Sequence, residues 1–162
     1  MPTMSGTASV YIERSPEAAF AVLADAGNWP TINRGVTLRI TPVTGDPSRP
    51  LAGGDTFVEH AAGPEGDTEY AFPWTVQEAT PNTRLTIVSQ AELGSGNPCC
   101  QTIIYEFAPS GPGTLFTRTI RVDFPDGLLE AAPKNQADSF QNYLGQQYTM
   151  AMMFKKHLEE RH

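Results

Sequence analysis

The chain has 162 residues, 40% hydrophobic and 18% charged, with a formal net charge of -7. That length fits one domain, 1–162, able to bury a core without metal or disulfide support. The composition excludes a disordered chain, and an acidic balance without a Lys/Arg cluster argues against binding nucleic acid.

No apolar run approaches the roughly 20 residues of a membrane helix, so stable membrane insertion is not expected. The first residues lack a basic segment followed by an apolar one. The expected location is therefore the cytoplasm. Cys99 and Cys100 are adjacent, so on a strand they point to opposite faces and are badly placed to bond to each other.

In chain order, Ala8–Ile12 reads as a short strand. Ser15 is an N-cap residue followed by Pro16 and Glu17, which opens a helix with Phe20, Leu23 and Ala24 on its apolar stripe. Gly27 and Asn28 stop it, Trp29-Pro30 follows, and a second helical turn fits Thr31–Arg34. From Val36 the period changes to two. Val36, Leu38 and Ile40 alternate in one strand, and Asp55–Ala61 is the next. The spacing predicts turns at Gly63–Asp67 and Thr80–Thr83, a loop at Leu93–Pro98 and a turn at Pro109–Gly113. Between them lie strands over Thr68–Ala79, Arg84–Ala91, Cys100–Phe107 and Thr114–Phe124. The end is helical, with Phe140, Leu144, Gln147, Ala151, Phe154 and Leu158 spaced by three and four.

This order predicts an α+β fold: a curved antiparallel sheet of six to seven strands around one long C-terminal helix, with two short helices after the first strand. A twisted sheet of that width exceeds a helix of roughly 10–12 Å diameter. Space should therefore remain between them, walled by alternating side chains and suited to a small apolar ligand.

Several side chains could carry chemistry there. Tyr70, Phe72, Trp74, Val76 and Glu78 share one face of a strand, as core or as a platform for a flat ligand. Glu59 shares a face with Phe57. If that face is inward, desolvation should raise its pKa and suit it to acid–base work; otherwise His60 points inward, or Glu59 sits on a solvated rim. Arg118 falls on the more apolar face of the last strand, either inward to polarise a carbonyl or outward beside Glu106. Tyr105 runs in phase with Ile103 and Phe107 and needs a partner if buried. Gln147 breaks the helix stripe between Tyr143 and Tyr148, either satisfied internally or facing a ligand. No ligand set for a metal and no glycine fingerprint for an organic cofactor is present.

Some of these stretches resemble a known family. Ser15-Pro16-Glu17-Ala18-Ala19-Phe20, Asp25-Ala26-Gly27-Asn28-Trp29-Pro30, Gly54-Asp55-Thr56-Phe57 and Tyr105-Glu106-Phe107 with Gly113-Thr114 are similar to the START/Bet v 1-like (SRPBCC) superfamily. It includes polyketide cyclase/dehydrase and lipid-transport proteins. The resemblance spans about Ala8 to Leu158. It implies a helix-grip fold with an internal pocket for sterols, lipids, polyketides or aromatics, and Trp29 and Trp74 resemble positions of its aromatic polyketide cyclases. Those often carry an Arg on the strand bearing the second Trp, whereas two pleats after Trp74 this chain has Glu78.

The expected function is binding of a small hydrophobic or polyketide-like molecule, with cyclisation or dehydration by Glu59, Tyr105 and Arg118. Trp29, Phe57, Tyr70, Phe72, Trp74, Val76, Phe107, Tyr143, Leu144 and Gln147 would line the pocket of a monomer or homodimer. A non-catalytic carrier and a stress-response or co-chaperone-like protein are the alternatives.

Overall fold

The computed structural model describes residues 2–63, 68–92 and 98–160. Strand β1 (Thr3–Ile12) leads to α1 (Pro16–Leu23), a 3-10 turn at Ala26–Asn28 and α2 (Trp29–Ile32). Six strands follow: β2 (Thr37–Pro42), β3 (Thr56–Ala62), β4 (Glu69–Thr80), β5 (Arg84–Glu92), β6 (Pro98–Ser110) and β7 (Gly113–Asp123). Helices α3 (Leu128–Ala131), α4 (Lys134–Leu144) and α5 (Gln147–Glu160) close the chain. The turn expected at Gly63–Asp67 and the loop at Leu93–Pro98 fall largely outside the described residues, as does the side chain of Phe140.

The seven strands form one antiparallel sheet in the order β1-β7-β6-β5-β4-β3-β2. Consecutive strands from β2 to β7 are neighbours in the sheet. Asn82 supplies the left-handed backbone (φ 64°) between β4 and β5, a conformation Asn tolerates better than most residues. The Ser15 hydroxyl accepts the Ala18 N–H at 3.2 Å, and Pro16 starts α1 as its sequence requires.

The concave face gathers the core. Trp29, Trp74, Phe116, Phe154, Ile12, Leu85, Ile87 and Ile120 are fully buried. Phe116 meets Phe154 at 4.8 Å between ring centres, fastening α5 to β7, and Phe20 meets Phe107 at 5.4 Å, fastening α1 to β6. Helix α5 packs on β1 and β7, α1 on β6 and β7, and α2 on β2. Among the described residues, no helix packs comparably on β3, β4 or β5.

Three details differ from the sequence expectation. The C-terminal helix is broken at Gly145, so α4 and α5 are separate segments. In β2 the alternation breaks: Leu38, like Val36 just before the strand, is exposed while Thr37 is buried and Ile40 packs half-buried against the core, the register shifting between Thr37 and Arg39. A second shift between Val76 and Glu78 takes Glu78 off the face shared by Trp74 and Val76. Glu78 pairs with Arg84 at 3.8 Å, and Ala79 stands opposite buried Leu85.

No helix among the described residues is long and apolar enough to cross a membrane; this says nothing of strands. The helix break is seated on β1 by Gly6, where a Cβ would lie 2.2 Å from the Leu144 carbonyl oxygen. Gly6→Ala should therefore cost about 1–3 kcal/mol through overpacking, read as a lower denaturation midpoint.

The loop before β3 is tied by Asp55, which accepts from Arg49 at 2.8 and 3.0 Å and from the Ala52 N–H at 2.8 Å. The Arg49 hydrogen bonds hold the Asp55 carboxyl below its usual range, against a smaller opposing effect of burial. The stabilisation is complete above the unfolded-state value, about 3.9, and is lost as pH falls through the lower folded value. Asp55→Asn should flatten the acid limb of a stability-versus-pH curve and leave its neutral region parallel to the wild type.

Candidate functional site

Strand alternation sets which residues face the helices. On β3, Phe57 and Ala61 are buried and Glu59 lies between them on the same face. His60 points outward to Arg39, Thr41 and Glu69. On β7, Thr114, Phe116, Arg118, Ile120 and Val122 are all buried, so Arg118 faces inward. The outward alternative beside Glu106 does not occur, because Glu106 pairs with Arg84 at 2.7 Å. On β6, Gln101, Ile103, Tyr105 and Phe107 share the inward face.

Two fixed polar groups result. The first is a carboxylate: Glu59 accepts from the Thr37 hydroxyl at 2.6 Å and from the Trp74 indole N–H at 3.1 Å. Thr37 itself accepts from the Asn33 amide at 3.3 Å. This chain explains the register shift in β2, since Thr37 must turn inward to reach Glu59. The second is a cation: Arg118 donates to the Gln147 side-chain oxygen, and its guanidinium carbon lies 5.6 Å from the centre of the Tyr105 ring, within cation–π range. The Gln147 amide N–H groups turn to the last carbonyls of α4, Leu144 at 3.3 Å and Tyr143 at 3.5 Å.

Tyr105 feels both charges. Burial pushes its phenol above the usual range, Arg118 pulls it back down, and Glu59 adds to the rise. Tyr143 is also pushed up by burial, with the same two charged groups acting on it, and its hydroxyl donates to Gln101 at 2.5 Å. Arg118 and Glu59 thus act in opposite directions on both phenols.

Most of the residues expected to form an aromatic wall are buried. Trp29 is buried, donates its indole N–H to the Leu23 carbonyl at 2.8 Å, and meets Phe57 edge-on at 5.3 Å. Trp74, Val76, Phe107 and Leu144 are buried, and Phe72 is half-buried 6.3 Å from the Trp74 ring. Tyr70 is the exception. At 42% exposure it stands at the outer end of β4 and does not line an enclosed wall. Spacing alone did not single out Asn33, Thr37, Ser89 or Gln101. For Thr37, Ser89 and Gln101 the signal is a polar residue at an inward strand position, whereas Asn33 caps the end of α2. An open groove of about 470 Å³ runs along the outer side of α5, lined by Tyr148, Met152, Lys155 and Glu159 among others, and contains none of these groups.

Among the described residues, no cluster of His, Cys, Asp and Glu could hold a metal ion. The sequence profile of the family described as "Polyketide cyclase / dehydrase and lipid transport" matches residues 3–146. This chain belongs to that family. As a member of the polyketide cyclase/dehydrase and lipid-transport family it matches no curated protein, but its architecture recurs in solved structures.

The di-domain ARO/CYC StfQ from the steffimycin biosynthetic pathway aligns over 98% of this chain and 51% of its own, at 15% identity and a TM-score of 0.74. Ara h 8.0201 aligns over 99% and 100% of the two chains at 8% identity and 0.68. The major latex-like protein 151 of Panax ginseng aligns over 96% and 97% at 10% and 0.65. This chain thus spans about half the length of StfQ. At these identities the likeness is one of fold, the Bet v 1-like helix-grip arrangement of sheet and helix.

The buried phenols give a direct test. Their neutral form contributes stability below the unfolded value, about 10, and that contribution is lost as pH rises through the higher folded values. Ultraviolet titration of tyrosinate should show a late phase, and Tyr105→Phe with Tyr143→Phe should remove it.

Proposed function

We propose that this protein binds a small hydrophobic, carbonyl-rich molecule between the concave sheet and α4–α5, and cyclises or dehydrates it by proton transfer. The observation that supports the reading is that Glu59, Tyr105 and Arg118 all stand on the inward side of the sheet, with the Arg118 guanidinium 5.6 Å from the Tyr105 ring. A carrier for apolar molecules has no use for a buried guanidinium such as that of Arg118, since burying it costs desolvation.

In this reading Glu59 takes a proton from a carbon between two carbonyl groups. The enolate oxygen forms against the Arg118 guanidinium and the Tyr105 hydroxyl, which receive its charge where water is excluded. The carbon then attacks a second carbonyl of the same molecule, which closes the ring, the resulting alkoxide takes the proton that Glu59 removed, and dehydration follows as the remaining α-proton and the new hydroxyl leave together as water. Asn33, Thr37 and the Trp74 indole hold Glu59 in place, and Gln147 does the same for Arg118. Trp29, Phe72 and Trp74 supply the apolar surface on which the substrate lies.

Trp29 and Trp74 are the two tryptophans of the chain, and both belong to the interior. Quenching of their fluorescence therefore reports binding, while product formation from a synthetic poly-β-ketone thioester reports turnover. Glu59→Gln should lower turnover by roughly 10²-fold with quenching retained, and Arg118→Met should lower it comparably. Unchanged turnover in Glu59→Gln would remove the acid–base role. Quenching with no turnover in the wild type would favour the carrier reading.

A further inference from the structure

The proposed chemistry uses one end of the inward face of β6 and leaves the other end unexplained. Gln101 is fully buried, and Ser89 on β5, directly opposite in register, is 2% exposed. Among the described residues, the Ser89 hydroxyl oxygen and the Gln101 amide nitrogen have no hydrogen-bond partner. Buried polar atoms in folded proteins are nearly always paired, and two orphans side by side on one pleat are a defect unless something outside the chain completes them. Gln101 is not loose: its amide oxygen is held by the Tyr143 hydroxyl. That leaves the NH₂ group as the open function. Trp74 stands opposite Ser89 on the next strand, so an aromatic wall flanks the pair.

We infer that Ser89 and Gln101 form a second polar subsite that takes a neutral oxygen, a hydroxyl or carbonyl, at the far end of the ligand from the reacting carbonyl. The inference rests on the ligand-binding reading above and narrows its substrate class. A carbonyl oxygen accepts from both groups. A hydroxyl accepts from Gln101 and donates to Ser89. Neither atom has a bonded cation, so a carboxylate gains no special partner here. Gln101 lies four residues along β6 from Tyr105, about 13 Å of strand. A single ring cannot reach from the Tyr105–Arg118 pair to this subsite, but a fused multi-ring or extended poly-oxygenated molecule can. Both orphan atoms are closed to solvent, so a ligand oxygen reaches them by shifting Tyr143, the side chain bonded to Gln101.

The test uses three flat probes read by tryptophan quenching: anthracene, a hydroxyanthracene, and a dihydroxyanthracene with its hydroxyls at opposite ends. The wild type should prefer the dihydroxy probe over the monohydroxy one by about tenfold, the worth of a hydrogen bond that completes buried groups. Ser89→Ala and Gln101→Leu should each abolish that preference while leaving anthracene affinity unchanged. Ser89→Ala, which deletes an orphan atom, should leave the melting temperature of the free protein equal or higher, the opposite of what a structural hydroxyl would give. A preference that survives both variants overturns the subsite alone. Failure of every probe to quench either tryptophan overturns the ligand-binding reading and the subsite with it.

Discussion

Arg118 brings a full positive charge to the concave face, where only about 9% of the residue meets solvent. Removing one partner of a buried charge is worth several kcal/mol, so the surroundings must answer it. They do so from two elements at once. The Tyr105 ring lies beneath it from β6, and the Gln147 oxygen meets it from α5. Gln147 in turn spends its own N–H groups on the end of α4. The break between α4 and α5, the seat of Leu144 over Gly6 and the orientation of the guanidinium are therefore one arrangement. Substituting any part of it should disturb the others more than distance alone would suggest.

Most of the architecture is legible in the sequence because it depends on periodicity. Trp74 and Val76 on β4, Ile103, Tyr105 and Phe107 on β6, and Leu144, Ala151, Phe154 and Leu158 on the helices all lie where spacings of two and of three to four put them. The inward turn of Arg118 follows from the same rule, since Phe116, Ile120 and Val122 make that face of β7 the apolar one. What periodicity misses is any place where the period changes. Val36 and Leu38 alternate well with Ile40, yet both are exposed, because the register shift in β2 brings Thr37 inward, where it reaches Glu59. Gly145 breaks the helix although the apolar stripe runs through it without a gap.

The candidate site was less legible, and for a different reason. Glu59, Tyr105 and Arg118 are distant in sequence, and each has two faces on which it could stand. Only the register of β3 through β7 brings them to one side. The amide and hydroxyl groups that orient them, Asn33, Thr37 and Gln147, are ordinary residues whose importance comes from what they touch. Family membership fixes the scaffold and leaves this polar pattern to the individual chain.

The extra residue in β4 has one further effect. Inward positions on this strand are even-numbered through Val76 and odd-numbered from Ala79. Aligning pocket-lining residues across relatives by counting along the strand would therefore exchange a packed alanine for a solvated glutamate beyond that point. Equivalences between binding walls of different members have to be drawn through cross-strand partners such as Leu85, whose neighbours are set by hydrogen bonding and not by position in the chain.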